Sequence, residues 1–96
     1  MIRVLIERHI AESLESAYEQ RSRTVLQHSV AQPGFISGET LVDRQDRNHR
    51  LTLSNWRSEA DWQRWYQSRE RRELMAELIP MMDKEETIMI LEQNAV

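Results

Sequence analysis

The order in which strand-like and helix-like patterns follow one another is the feature that most restricts the fold of this chain. Four segments are rich in β-branched and aromatic residues and are predicted strands: residues 2–9, 35–43, 49–56 and 87–91. Apolar residues at helical spacing predict a helix over residues 11–32 and a two-part helical region over 58–67 and 69–79. The order β-α-β-β-α-β predicts a ferredoxin-like plait of the α+β class, with helices on one face of an antiparallel four-stranded sheet.

Short local signals mark the ends of these elements. Pro33 and Gly34 end the first helix, because proline cannot continue a helix and glycine accepts a positive φ. Ser58 has the position of a helix N-cap in a capping box, and Ser68 can cap the second helical segment. Gly38 lies inside the second predicted strand and indicates a β-bulge there.

One face of the predicted sheet has no helices to cover it. The chain of 96 residues has room for a single domain, residues 1–96, and a small domain buries a low fraction of its surface. The last strand, residues 87–91, is almost entirely apolar or β-branched, which predicts a central position in the sheet. Because the uncovered face is too apolar for water, we expect a homodimer that buries it.

Composition excludes several classes of function. The net charge is −3 with both signs interspersed, which argues against a nucleic-acid partner. The sequence has no cysteine, hence no disulfide framework and no thiolate nucleophile. The N-terminal segment is too short and too charged for a signal peptide, and no apolar run approaches transmembrane length. We therefore expect a cytoplasmic protein with no membrane contact.

Three tryptophans crowd the junction between the third strand and the following helix. Trp56, Trp62 and Trp65 are either the core of a small domain or the wall of a pocket for a flat ligand. Such a pocket also needs a group that takes a proton, and imidazole titrates near neutrality. His9, at the end of the first strand, and His28, predicted on the inner face of the first helix, are the candidates for this role.

Other charged residues have simpler interpretations. Arg8 or Arg50 is a candidate for holding an anionic substrate. The arginines around residues 64–72 are expected on a solvated helix face, paired with nearby glutamates. The three histidines are widely separated and lack the spacing of metal ligands, so no metal site is predicted.

The chain resembles a known protein family at three separated motifs: Pro33-Gly34-Phe35, Trp56-Arg57-Ser58-Glu59 and Trp65-Tyr66-Gln67-Ser68. In this order the chain resembles the antibiotic biosynthesis monooxygenase family over roughly residues 2–93. The resemblance implies a dimeric α/β barrel in which each subunit has a pocket between its sheet and its helices. Members of the family include cofactor-free monooxygenases of polyketide phenols, quinol monooxygenases, haem-degrading enzymes and an isomerase.

The family's chemistry transfers only in part when it is carried over residue by residue. In the alignment on Trp56, Trp65 matches a tryptophan of the haem-degrading members, but Glu7 and Met75 stand at or near their asparagine and histidine positions. The resemblance therefore argues against haem degradation. Trp56 matches a substrate-pocket tryptophan of the polyketide-oxidising members, whereas Thr52 and Trp62 replace an asparagine and a tyrosine.

Three hypotheses of function follow. The first is a cofactor-independent monooxygenase of a small aromatic or quinol-type molecule, with His9, His28 and Trp56 as catalytic candidates and Thr52, Trp56, Trp62 and Trp65 as substrate-binding residues. The second is a non-catalytic dimer that binds a small apolar or haem-like ligand. The third is a structural or regulatory dimer whose tryptophans are core. An open pocket with His9 or His28 in its wall favours the first hypothesis. An open pocket without a titratable side chain favours the second, and a closed, dry core around the tryptophans favours the third.

Overall fold

The computed structural model of the protein describes residues 1–94, which form one antiparallel sheet with helices packed on one of its faces. The strands are β1 (Ile2–His9), β2 (Phe35–Val42), β3 (His49–Trp56) and β4 (Thr87–Leu91), in the spatial order β2-β3-β1-β4. The helices are α1 (Glu15–Val30), α2 (Glu59–Tyr66) and α3 (Arg69–Leu78), and a 3₁₀ turn follows at Ile79–Met81. The predicted ferredoxin-like plait is confirmed.

The local signals for helix ends act as predicted. Ser58 has an extended backbone and its hydroxyl accepts a hydrogen bond from the Asp61 backbone N–H at 3.2 Å, so it caps α2. Ser68 caps α3 in the same way through the Arg71 backbone N–H at 3.1 Å. Gly34 has a φ of +87°, as the helix-ending turn requires. The bulge in β2 lies between Phe35 and Ser37 rather than at Gly38.

The prediction that the last strand is central is wrong. β4 pairs with β1 and forms an edge of the sheet, next to β1 rather than between two strands. The cross-strand register places Ile88 and Ile90 on the helix-covered face, opposite Ile6 and Val4. On the helix-covered face Ile88 packs against the core and Ile90 is 38% exposed, while the other face of the strand continues an apolar surface.

The two faces of the sheet differ in cover. On the helix side Val4 and Ile6 are buried and join a core with Tyr18, Val25 and the tryptophans. The opposite side, called here the open face, carries the alternating residues of each strand. Its apolar members are Leu5, Leu41, Leu51, Leu53, Met89 and Leu91. Three of these are exposed: Leu41 by 42%, Met89 by 46% and Leu91 by 41%.

Candidate functional site

The junction between β3 and α2 is held rigid by one buried carboxylate. Asp61 is only 3% exposed and accepts hydrogen bonds from Arg57 (3.0 and 3.1 Å), Ser58 (2.9 Å) and Arg64 (2.9 Å). The hydrogen bonds from the Arg57 guanidinium and the Ser58 hydroxyl lower the pKa of Asp61. Gly34 packs so closely on this carboxylate that a Cβ atom there would overlap it. This network positions the tryptophans that follow.

The three tryptophans form a compact cluster on the helix side of the sheet. Trp56, Trp62 and Trp65 are 1–2% exposed, and the Trp56 and Trp62 rings meet edge-to-face with centroids 5.7 Å apart. The Phe35 ring also packs edge-to-face against Trp56, with ring centroids 5.3 Å apart. The Trp56 indole N–H donates to the Ser54 hydroxyl at 3.0 Å, so this donor is already used within the protein.

A small chamber lies against this cluster, between the sheet and the helices. Its volume is about 30 Å³, close to the share of liquid volume that one water molecule occupies. Thr52 lies in its wall together with apolar side chains and small polar ones from α1 and the sheet. The lining includes all three tryptophans and Ile6, Arg8, Ser22, Val25, Leu26, Ser29, Thr40, Thr52, Ser54 and Arg71. Among the described residues, no histidine or carboxylate lines this chamber.

Two buried arginines stand in the chamber wall and share one carboxylate. Arg8 is 4% exposed and Arg71 5% exposed. Glu86, which precedes β4, accepts from Arg8 Nε at 3.1 Å and from an Arg71 terminal nitrogen at 3.1 Å. The Arg71 guanidinium also lies 5.7 Å from the centre of the Trp62 ring. Two cations facing one shared anion give this wall an excess of positive charge.

Arg71 shows where the sequence interpretation fails. It was expected on a solvated helix face, and that expectation is wrong. Arg71, Met75 and Leu78 are the buried residues of α3 and follow one another at helical spacing. This spacing was the available signal, but a charged residue at its first position hid it. The serines of the chamber wall, Ser22 and Ser29, were missed for the same reason, because they hold buried positions of α1 that apolar residues usually take.

The chamber continues into a larger groove between α1 and the β2–β3 edge of the sheet. The two spaces share Ser22, Leu26, Thr40 and Thr52, and the groove has a volume of about 130 Å³. Its remaining lining is Tyr18, Glu19, Arg23, Leu41, Val42, Arg50 and Leu51. A cavity of about 150 Å³ binds one benzene molecule. Chamber and groove together, called here the cleft, therefore have the size of a single aromatic ring with small substituents.

A third buried arginine stands in the outer groove. Arg50 is 8% exposed and donates to Glu19 at 3.0 Å and to the Arg47 backbone carbonyl at 2.6 Å. It lies directly opposite Arg8 in the register of β1 and β3. Tyr18 separates the two, since its hydroxyl accepts from Arg8 at 3.3 Å and its ring lies 6.0 Å from the Arg50 guanidinium.

His28 does not lie where the sequence interpretation placed it. The inner face of α1 consists of Tyr18, Ser22, Val25 and Ser29, and the His28 side chain is 44% exposed. Its Nδ1 is 2.5 Å from a Glu70 carboxylate oxygen on α3. The predicted inner position is therefore wrong, because two serines and not the histidine complete the buried stripe.

His9 and His49 lie outside the cleft as well. They are cross-strand partners at one end of the open face, and each lies between two carboxylates. The ring nitrogens of His9 are 2.9 Å from Asp46 and Asp83, and those of His49 are 2.9 Å from Asp43 and 2.5 Å from Glu7. These hydrogen bonds raise the pKa of both imidazoles, led by Asp46 for His9 and by Asp43 for His49. Among residues 1–94, no cluster of acidic and histidine side chains has the arrangement of a metal site.

Of the predicted site residues, Thr52, Trp56, Trp62 and Trp65 therefore meet in one place, and His9 and His28 lie elsewhere. A second, wider trough of about 910 Å³ runs between α3 and the segment before β4. It shares Arg71 with the chamber and is lined by a mixture of charged and apolar residues at the surface. The described helices include none with the length and apolarity to cross a bilayer.

Known proteins share sequence features and the fold of this chain. The sequence profile described as "antibiotic biosynthesis monooxygenase" matches residues 1–77. The chain belongs to the antibiotic biosynthesis monooxygenase family. A search of curated protein sequences returned no significant match.

Solved structures of low sequence identity share the fold of this family member. A crystal structure of an antibiotic biosynthesis monooxygenase has a TM-score of 0.89 at 14% identity, covering 98% of this chain and 99% of the other. A conserved protein from Methanosarcina mazei Go1 has a TM-score of 0.89 at 17% identity, covering 97% and 92%. SnoaB, a cofactor-independent oxygenase from Streptomyces nogalater, has a TM-score of 0.80 at 15% identity, covering 98% and 96%. At these identities the likeness shows the fold alone.

Proposed function

We propose that this member of the family is a cofactor-independent monooxygenase of a small, quinol-type aromatic molecule. The observation that carries the proposal is the composition of the cleft. A small chamber walled by three indoles and two buried arginines opens into a groove with the size of one aromatic ring. The family profile and the similarity to the fold of SnoaB support the same class of reaction.

The reaction needs no external reductant. A hydroquinone supplies four electrons to O₂: one oxygen atom replaces a ring hydrogen to form a hydroxyquinone, and the other leaves as water. The substrate reacts as its phenolate, which passes an electron to O₂. The protein must then stabilise negative charge in a water-poor space. In this proposal, Arg8 and Arg71 stabilise the charge on the phenolate and on the reduced oxygen species.

Each wall of the cleft has a role in this proposal. The ring lies in the outer groove, since the chamber of about 30 Å³ is too small for it but holds a molecule of the size of O₂. Trp56, Trp62 and Trp65 close the chamber and keep it dry, and Thr52 lines both spaces and contacts the ring edge. His9 and His28 lie away from the cleft and have no role in the proposal. The phenol proton leaves to water at the groove mouth.

The proposed assembly is a homodimer through the open face. Members of the family are often dimeric. The apolar patch of leucines and Met89 on this face supports the same arrangement, because a large exposed apolar surface is unfavourable in water. Two sheets that pack face to face would form the barrel. Sedimentation at micromolar concentration measures this directly, and a stable monomer would contradict it.

A second candidate function has its own supporting observation. Within the described residues, neither imidazole nor carboxylate lines the chamber, and the Glu19 carboxylate of the groove is paired with Arg50, so no unpaired general base stands beside a bound phenol. This favours a protein that binds an aromatic molecule without transforming it. Oxygen uptake separates the two functions, whereas ligand binding alone is common to both.

The test is oxygen consumption by the metal-free protein with a panel of single-ring hydroquinones and anthrone-like phenols, with product analysis. The oxygenase proposal expects uptake above autoxidation for the hydroquinones, with a hydroxyquinone product. Thr52→Leu narrows the junction of chamber and groove and is expected to lower uptake about tenfold, a change of ~1.4 kcal/mol, because the larger side chain takes space from the ring. Binding without uptake across the panel would favour the second candidate.

A further inference from the structure

We propose that the molecule bound in this cleft is an aromatic acid, and that its carboxylate binds Arg50 in the outer groove by displacing Glu19. The inference deepens the proposed function and rests on the ligand cleft, but not on the oxygenation step. It names the chemical class of the ligand, a single ring with an anionic substituent, and the residue that selects it.

The first observation is an imbalance of buried charge around the cleft. Arg8, Arg50 and Arg71 are each more than nine-tenths buried and line the cleft. In the described part of the chain, their ion pairs are with two carboxylates, Glu86 and Glu19. Burying a cation is costly unless an anion compensates it. The buried ion pairs of the cleft therefore contain more guanidiniums than carboxylates, and this excess of positive charge favours an anionic ligand over a neutral one.

The second observation is the arrangement of Arg8 and Arg50. They face each other directly across β1 and β3, and like charges at such positions destabilise a sheet. Tyr18 lies between them and contacts both guanidinium groups. An acid group in the outer groove would reduce this repulsion. The repulsion gives the protein a reason to prefer an anionic ligand over a neutral one of equal shape.

The third observation is that Glu19 is a replaceable partner. Its side chain is 50% exposed, whereas that of Arg50 is 9% exposed. Glu19 can turn into water at little cost, and its carboxylate occupies the position that a ligand carboxylate would take at the groove lining. Glu86 differs in this respect, since it is 15% exposed and already binds two arginines. The exchange is therefore expected at Arg50 and not at the chamber arginines.

Size supports the same ligand class. The groove of about 130 Å³ takes one ring, and Arg50 lines it together with apolar residues such as Leu26 and Val42. The exposed Arg23 lines the same groove and adds positive charge at its edge. A ring that lies on the apolar wall with its acid group on Arg50 directs its opposite edge towards Thr52 and the chamber.

The experiment compares two quinols that differ only in charge. We would titrate 2,5-dihydroxybenzoate and 2,5-dihydroxybenzamide into the full-length protein by calorimetry under nitrogen, where no oxygenation occurs. The acid is expected to bind at least about tenfold more tightly, because a charge-assisted hydrogen bond to a buried arginine has that effect on affinity. Equal affinities, or no binding of either compound, would overturn the proposal.

Two variants at the same ion pair should have opposite effects. Glu19→Gln removes the competing carboxylate, so the acid should bind about threefold to tenfold more tightly while the amide is unchanged. Arg50→Gln should reduce the acid-to-amide preference to about one. Arg69→Gln is the control, since Arg69 is 86% exposed and pairs with Glu73 on the outer surface of α3. If Arg50→Gln does not fold, the proposal is still tested by the comparison of the acid with the amide and by the Glu19→Gln variant.

Oxygen uptake by the wild-type protein separates this inference from the proposed function. Preference for the acid without uptake would support the ligand class and overturn the oxygenase. Uptake with both compounds at equal affinity would support the oxygenase and overturn the ligand class. Weaker binding of the acid by Glu19→Gln would also overturn the displacement of Glu19.

Discussion

Each face of the sheet has residues that depart from the usual distribution of charge and apolar surface. The face that the helices cover holds the buried arginines Arg8 and Arg50, with Arg71 above them from α3. The open face exposes Leu41, Met89 and other apolar residues instead. Charged groups are normally exposed and large apolar groups buried, so each face departs from the usual pattern in an opposite direction.

The difference indicates two kinds of partner. Buried arginines around a ring-sized cleft are explained by a small anion, because only a compensating charge offsets their desolvation. An exposed apolar sheet face is explained by a second apolar surface, because water is the unfavourable alternative. The helix-covered face is thus a ligand site in our proposal and the open face a subunit interface. The predictions below test this division in order of decreasing effect.

The largest effect is expected from a charge on the open face. Leu53 and Leu5 are cross-strand partners at its centre, and Leu53→Asp would place a carboxylate in the proposed interface. Burying an unpaired charge costs several kcal/mol, so the dimer should weaken by at least about a hundredfold and sediment as a monomer at micromolar concentration. Ligand binding should fall far less.

Thr52→Leu is the matched control, one residue earlier on the same strand and pointing to the other face. It should weaken ligand binding and leave the sedimentation of the dimer unchanged. If Thr52→Leu dissociates the dimer, or Leu53→Asp leaves it intact, the assignment of the two faces to two partners is wrong.

The second prediction compares one glutamate from each face. Glu86→Gln leaves Arg8 and Arg71 without their shared carboxylate in a buried site, which should lower the free energy of unfolding by about 3 kcal/mol. Glu7→Gln removes a partner of His49 on the open face, where the Glu7 side chain is 45% exposed, and should cost below about 1 kcal/mol. Urea unfolding at one fixed protein concentration measures both, because dimer stability depends on concentration. Equal losses would contradict the difference in burial.

Much of the fold could be predicted because local signals agree with the tertiary structure. The predicted strands over residues 49–56 and 87–91 match β3 and β4, and the caps at Ser58 and Ser68 form as expected. These features depend on backbone hydrogen bonds and on residue type within a few positions. The order of the strands in space depends on long-range pairing instead, which is why β4 was expected at the centre and lies at an edge.

The site was predictable for its aromatic residues and for the strand arginines Arg8 and Arg50, but not for its charged and polar residues on helices. The face of the sheet that Trp56 and Thr52 occupy can be predicted from the sequence, because side chains alternate between the two faces along a strand. Arg71 was expected on a solvated helix face and is buried, whereas His28 was predicted on the inner face of its helix and is exposed. The helical spacing of Arg71 from Met75 and Leu78 is a local sign of its buried position, but no local sign indicates the contact with Glu86, fifteen residues later. That contact exists because the segment before β4 returns to the chamber.

The smallest predicted effect concerns the histidines of the open face. The carboxylates beside His9 and His49 raise the pKa of both imidazoles in the folded protein above their ordinary value of about 6.5. The stabilisation is therefore fully present below about pH 6.5 and is lost as pH rises through the raised pKa values. The same bonds lower the pKa values of Asp43 and Asp46, so their contribution is present near neutrality and lost in acid, as pH falls below about 3.9.

The stability of the folded protein should thus decline from mildly acidic to mildly alkaline pH, and unfolding midpoints across that range measure this decline. In the double variant His9→Gln and His49→Gln this decline should flatten. An unchanged slope in the double variant would show that the histidine–carboxylate pairs are too solvated to contribute, leaving the leucines as the stabilising part of this face.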